Sequence, residues 1–264
     1  MNNQLDGKKI LVTAPAIYGQ NLARLIRNNK GIALEYPAIK TYVPKDLSSL
    51  HSIFKNINDF EDIILPSRTA IDAFFKAYAD TGQSGNLERI NFYALGKDQV
   101  YLKNKYNLKV AAEPEETGPN GLVRYFKQLE TQPKKPILVV APKVIGVPEP
   151  NVIPDFIKAL SALGLKTIKI EGYMTEAQNL STNKELFNLI AHKEIDIITF
   201  TSTAEIAVML KYFGPDNINQ FKIACFGPYT GKNAEKMGLK TWYIGQKYSR
   251  FEDFVSGISA LIKA

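Results

Sequence analysis

The sequence predicts an α/β protein of two similar lobes, each a parallel sheet with helices on both faces. Three observations lead there. Short apolar runs alternate with amphipathic stretches from one end of the chain to the other. The order of those runs occurs twice. Two extended segments stand at equivalent points of the two copies, where the chain could change lobes.

The first apolar run, Ile10-Leu11-Val12, reads as a buried strand, and Leu22, Leu25 and Ile26 then repeat at helical spacing. Residues 32–36 are strand-like and stop at Pro37. Strands follow at Ile63-Ile64-Leu65, at 92–95 and at Val110-Ala111. Helices fall over 70–79, after Gly96 and over 122–129. A strand at 137–140 opens the next round. Strands that alternate with helices in this way argue parallel sheets covered on both faces.

The repeat is explicit in the residues. Lys9-Ile10-Leu11-Val12-Thr13-Ala14-Pro15 recurs as Pro136-Ile137-Leu138-Val139-Val140-Ala141-Pro142. Asp62-Ile63-Ile64 recurs as Asp196-Ile197-Ile198, and each is followed by a serine, Ser67 or Ser202, that opens an apolar helix. Phe92-Tyr93-Ala94-Leu95-Gly96 recurs as Ile223-Ala224-Cys225-Phe226-Gly227, and Asn107-Leu108-Lys109 as Gly238-Leu239-Lys240. Matches in one order point to duplication. Pro37-Ala38-Ile39-Lys40-Thr41-Tyr42 and Ile170-Glu171-Gly172-Tyr173-Met174-Thr175 are extended at equivalent points. Paired side by side, they would make a two-stranded hinge, so each lobe would draw on both copies.

Composition narrows the function. The 264 residues suit one large domain or two ordinary ones. No apolar run approaches the ~18–20 residues that span a bilayer, so no membrane partner is expected. The polar start, Met1 to Asp6, is not read as a signal peptide. The single cysteine, Cys225, excludes an internal disulfide and fits the cytoplasm; it sits in an apolar run and reads as structural. His51 and His192 lie far apart, so no metal site is expected. The net charge of +7 suits an anionic partner or simply solubility. The lysines are scattered pairs with no recognition helix, which argues against nucleic acid. No long apolar surface stripe demands a partner, and a monomer is expected.

Open α/β sheets bind ligands at the turns beyond the carboxyl ends of their strands. Five such turns are small, hydroxylic or glycine-bearing: Pro66-Ser67-Arg68-Thr69, Thr201-Ser202-Thr203, Gly227-Pro228-Tyr229-Thr230-Gly231, Thr117-Gly118-Pro119-Asn120-Gly121 and Ser249-Arg250-Phe251. Gly96-Lys97 opens a further turn. Backbone donors at helix starts, with hydroxyls beside them, suit a carboxylate or phosphate. The same serines and threonines also serve as N-caps. No GxGxxG follows a strand and no P-loop or GxSxG elbow occurs, so the chain reads as an enzyme without a cofactor or covalent intermediate, or as a binding protein.

The Asp–strand–Ser–helix units at 62–67 and 196–202, the turn Phe226-Gly227-Pro228-Tyr229-Thr230 and the crossing segment with Tyr173 and Thr175 resemble uroporphyrinogen-III synthase. The resemblance runs from about Lys8 to Leu261. It implies two Rossmann-like (flavodoxin-like) parallel-sheet lobes joined by a two-stranded hinge, with a cleft between them. Lobe one would be 1–37 plus 176–264 and lobe two 43–169, with hinge crossings at 38–42 and 170–175. The implied activity is that of a cyclising hydro-lyase of tetrapyrrole biosynthesis. Linear hydroxymethylbilane loses water, inverts its last pyrrole ring and closes, with no cofactor. Its eight carboxylates match the anion-suited turns.

The resemblance implies Tyr173 as the acid that serves the departing hydroxyl. It implies substrate contacts from Ser67, Arg68, Ser202, Thr203 and Thr230, and the turns add Thr69, Gly96, Lys97, Thr117, Gly118 and Tyr229. The chain departs from the family at three points. Thr13-Ala14-Pro15 stands where Thr-Arg-Pro is common, Gln99 where a threonine is frequent, and Thr203 where a proline is frequent. The alternatives are an inactive paralogue and a two-lobed binding protein for an anionic metabolite. A two-lobed glycosyltransferase would need nucleotide-binding features that are absent from the sequence.

Overall fold

The computed structural model describes residues 5–82, 87–96, 98–112, 114, 116, 118–148, 151–246 and 250–263. In chain order the elements are β1 (Lys9–Val12), α1 (Ala16–Asn28), β2 (Ile32–Glu35), β3 (Ile39–Tyr42), α2 (Ser48–Phe54), β4 (Asp62–Leu65), α3 (Arg68–Asp80), β5 (Asn91–Ala94), α4 (Asp98–Tyr106) and α5 (Pro119–Gln128). They continue as β6 (Ile137–Ile145), α6 (Val152–Ala162), β7 (Thr167–Ala177), α7 (Lys184–Ala191), β8 (Ile197–Phe200), α8 (Thr203–Ile218), β9 (Lys222–Cys225), α9 (Pro228–Lys236), β10 (Thr241–Ile244) and α10 (Phe251–Lys263).

The chain divides into two units. One is Met1–Lys40 with Ile145–Pro150 and Glu176–Ala264; the other is Thr41–Val144 with Asn151–Thr175. The sheet of the first unit runs β10-β9-β8-β1-β2, and every neighbouring pair is parallel. Counted along the unit, that is the flavodoxin-like order 2-1-3-4-5. The second sheet runs β3-β7-β6-β4-β5, with β4 parallel to both β5 and β6.

The duplication explains these orders. By sequence β6 repeats β1, β4 repeats β8 and β5 repeats β9. In the first sheet β1 and β2 of one copy adjoin β8, β9 and β10 of the other. In the second sheet β6 and β7 adjoin β4 and β5. The copies have exchanged halves.

Two expectations are corrected. Val110-Ala111 is not a strand: Val110 makes one bridge to Phe92, and the Ala111 N–H donates to the Phe92 carbonyl at 2.9 Å. Its repeat, β10, reads Thr-Trp-Tyr-Ile, whereas Val110 is followed by two alanines and then, at 114, a proline. Alanine and proline are poor strand residues. Residues 145–150 belong to the first unit rather than the second; the Lys211 Nζ donates to the Gly146 carbonyl there at 3.2 Å. The two extended segments, β3 and β7, are hydrogen-bonded neighbours at one end of the second sheet.

The second sheet shows why its strands read as continuous apolar runs. Successive side chains point to opposite faces. Ile63, Leu65, Phe92, Leu138 and Val140 join Leu50, Phe54 and Phe74 of α2 and α3 in one cluster. Ile64, Tyr93, Ile137 and Val139 join Phe126, Phe156 and Leu160 of α5 and α6 in another. In the first unit Ile10 and Val12 pack with Leu22 and Ile26 of α1 and with Phe254, Val255 and Ile258 of α10. Cys225 is fully buried, and burial pushes its thiol up to about 12. The structural reading of that residue therefore stands, since a thiol that keeps its proton is a poor nucleophile.

The chain turns sharply after β10. The Gly245 N–H donates to the Cys225 carbonyl at 2.9 Å. A side chain at 245 would put its Cβ 2.4 Å from the Phe226 carbonyl oxygen, a backbone atom that cannot swing away. Gly245→Ala is expected to cost about 2 kcal/mol, within the range for overpacking. Denaturant melts of the variant check this; a midpoint equal to the parent's would show that the turn yields freely.

Candidate active site

In the first sheet the strand order reverses between β1 and β8, and in the second between β6 and β4. Ligands of such sheets bind outside the carboxyl ends at those reversals. The predicted turns after β4 and β8 lie at these ends, and the turn after β9 lies beside the latter.

In the second unit, β4 delivers Pro66, Ser67 and Arg68 into the start of α3. Ser67 is extended, and its hydroxyl accepts the Ala70 N–H at 3.1 Å, so it is the helix N-cap. That hydroxyl is also hydrogen-bonded to Tyr173 of β7. The Tyr173 ring is 7% exposed and sits in the core with Phe54 and Phe74. Burial pushes its phenol up to about 12, against the pull of the Ser67 hydrogen bond, and the nearby Asp98 carboxylate adds to the rise. The phenol keeps its proton at neutral pH.

Asp98, the first residue of α4, completes the cluster. Its carboxylate accepts the backbone N–H of Arg68 at the start of α3, and it forms an ion pair of 3.5 Å with Arg68 Nε. A negative charge is favoured at a helix start. Burial nevertheless dominates: it lifts the carboxyl to about 6, Arg68 opposes that rise and Asp72 reinforces it. The Arg68 guanidinium lies over the Tyr101 ring at 4.5 Å. Tyr101 donates to Asp72 at 2.7 Å, and Lys105 donates to both, at 2.7 and 2.8 Å.

The first unit also holds a carboxylate at its reversal. Glu205, in the first turn of α8, is fully buried. It accepts from the Thr201 N–H at 2.8 Å, the Thr201 hydroxyl at 2.5 Å, Ser202 Oγ at 2.9 Å and Thr13 Oγ1 at 2.9 Å. Burial raises its pKa, and these four donors pull it back down. Thr13 also donates to the Thr199 carbonyl at 2.7 Å, which ties β1 to β8. Thr230 Oγ1 donates to the Thr201 carbonyl at 3.3 Å, which links the β8 and β9 turns. Thr203 Oγ1 is buried with no hydrogen-bond partner among the described residues. Tyr229 lies in the first turn of α9 behind Pro228, which has no N–H to offer.

The predicted residues thus gather in two groups. Ser67, Arg68 and Tyr173 meet in one unit; Ser202, Thr203, Tyr229 and Thr230 lie on adjoining turns of the other. Thr69 follows Arg68 in the first turn of α3, half-buried. Gly96 and Gly118 carry positive φ values of 54° and 106°, which a glycine adopts without strain. Lys97, Thr117 and Ser249 lie outside the described residues. At two of these turns one backbone donor is already used: at α3 the Arg68 N–H is taken by Asp98, and at the β8 turn the Thr201 N–H is taken by Glu205.

Those two acids were missed from sequence. Glu205 had a signal, since Ser202-Thr203-Ala204-Glu205 has capping-box spacing. Asp98 had only its place in a first helical turn, where an acid is ordinary.

Two flavodoxin-like α/β units that exchange halves of a duplicated chain, with hydroxyls, an arginine and buried acids at their strand ends, define a duplicated α/β protein with polar sites at its sheet reversals. The uroporphyrinogen-III synthase HemD family model matches residues 20–251. The chain belongs to that family. It is 24% identical over 241 residues to the porphyrin biosynthesis protein HemD of Ruminiclostridium josui, covering 91% of this chain and 46% of that protein. The chain therefore spans about half the length of that curated relative. Among solved structures it is similar to a mutant uroporphyrinogen III synthase of Thermus thermophilus, with a TM-score of 0.70, 13% identity and coverage of 97% of this chain and 99% of that one. It is also similar to the uroporphyrinogen-III synthetase of Helicobacter pylori, with a TM-score of 0.52, 15% identity and coverage of 97% and 99%. At these identities the likeness is one of fold.

Proposed function

We propose that the protein is a uroporphyrinogen-III synthase: it converts linear hydroxymethylbilane to the cyclic type III product with loss of water. Family membership across residues 20–251 is the observation that carries this reading. The reaction is a dehydration and needs no redox partner. A proton reaches the terminal hydroxyl, which departs as water and leaves an azafulvene. The last pyrrole ring then bonds through its substituted carbon, giving a spiro intermediate, and reopens inverted before the ring closes.

In this reading Tyr173 supplies the proton to the leaving hydroxyl. Its phenol is protonated and hydrogen-bonded to Ser67 at the end of β4. Arg68 meets a carboxylate arm, and Thr69, Gly96 and Gly118 belong to the same set of substrate contacts. Ser202, Thr203, Tyr229 and Thr230 receive other arms of the substrate, where the buried hydroxyl of Thr203 gains a partner. The protein works as a cytoplasmic monomer without a cofactor.

The test is a coupled assay with freshly made hydroxymethylbilane and separation of the oxidised products by isomer. Type III product is expected. Type I product alone, which forms without an enzyme, would overturn the reading.

A further inference from the structure

We propose that Asp98 is a positioning residue for this reaction: it sets the direction in which the Arg68 guanidinium meets a substrate carboxylate. The inference rests on the synthase reading and adds a residue that this reading does not use.

The geometry carries it. Arg68 is the first residue of α3, and its long side chain would otherwise sample many rotamers. Asp98 pairs with it at Nε, the nitrogen nearest its own backbone. Tyr101 presents a ring face 4.5 Å from the guanidinium carbon. The ion pair and the ring face, both from α4, restrict where the group can lie. Tyr101 is itself held, because its hydroxyl and Lys105 share the Asp72 carboxylate, which Tyr106 also reaches at 3.2 Å. Arg68 and Tyr101 line a groove of about 530 Å³ with Val100, Asn104 and Lys105. Val100 is 56% exposed there. The groove has an apolar side for a ring and a planar cation for its acid arm, and a guanidinium recognises a carboxylate through paired donors only when its plane is set.

A carboxylate is a poor choice if helix capping were the only task. The Asp98 side chain is 18% exposed, and burial disfavours its charge. Asparagine or serine would serve the helix start without that cost. Perturbed acids of this kind gather at functional sites.

The position also sets a pH dependence. Asp98 is faced by Arg68 and Asp72 from α3 and by Tyr173 from β7, with Tyr101 and Lys105 on its own helix. Its carboxyl lies near 6. As pH falls through that value the acid gains a proton, the pair with Arg68 is lost and KM rises.

The experiment compares wild type with Asp98→Asn, Asp98→Glu and Tyr101→Leu on hydroxymethylbilane, each checked for cooperative melting. Asp98→Asn is expected to raise KM about fivefold or more with kcat within about twofold, the signature of lost binding rather than lost chemistry. The rise of KM below pH 6 should vanish in that variant. Asp98→Glu should recover most of the affinity, and Tyr101→Leu should raise KM in the same direction. An unchanged KM in a folded Asp98→Asn, or a fall in kcat with KM constant, overturns the proposal. If Asp98→Asn does not fold, an unchanged KM in Tyr101→Leu does the same. A wild-type chain that yields only type I product fails at the earlier step, and takes the synthase reading down together with the role of Asp98.

Discussion

Glu205→Ala is expected to lower the melting temperature by roughly 5–10 °C. The carboxylate gathers four donors from three residues, and the Thr201 N–H is a backbone group with no side-chain freedom to find another acceptor. The Thr13 hydroxyl keeps the Thr199 carbonyl, so part of the network survives. Stranding a buried donor and opening a void together cost about 2–3 kcal/mol. For a chain of this size each kcal/mol moves the melting point by about 2–4 °C. The effect has a pH signature. Burial raises the pKa of Glu205, so the folded protein holds that proton more tightly than the unfolded chain. The resulting stability is full below the ordinary glutamate value and is lost as pH rises through the raised one. Glu205→Gln removes this dependence. Melting curves across pH check both statements, and an alanine variant that melts within about 2 °C of wild type would show that the network is dispensable.

Tyr173→Phe is expected to cut kcat by about tenfold or more while the protein folds normally. A positioned proton donor contributes about 10²–10⁴-fold, and Ser67 remains to supply part of that. The ring stays in the core, so the stability change is confined to one hydroxyl, about 1 kcal/mol. The phenol is pushed up to about 12, so its ionisation does not limit activity at mildly alkaline pH. Steady-state rates for the two proteins decide the matter. An equal kcat would remove Tyr173 from the role of acid and leave it as a packing residue.

Much of the fold was legible in the residues. Ile10-Leu11-Val12 and Ile63-Ile64-Leu65 are apolar at successive positions because helices cover both sheet faces, and a strand with two buried faces has no polar side to reveal. The repeat was legible because both copies build the same half-sheets. The candidate site was legible only in part. Ser67, Arg68, Ser202 and Thr230 stand at strand ends, and strand ends can be found by pattern. Asp98 and Glu205 could not be found that way. What distinguishes them is burial and the donors they meet, and in each case some of those donors come from distant parts of the chain. Thr13 reaches Glu205 from 192 positions away.

The sequence by itself determined the duplication, the parallel α/β class and the positions of the helix starts. These depend on local patterns of apolar, hydroxylic and glycine residues, and such patterns survive in one dimension. Tertiary structure alone decided that the protein's own acids take a backbone donor at the α3 and β8 turns. The reason is physical. A turn that can bind an anion presents the same residues whether its donors face solvent or a carboxylate from elsewhere in the chain, and only the packing that brings Asp98 onto Arg68 and Glu205 onto Thr201 and Thr13 distinguishes the two.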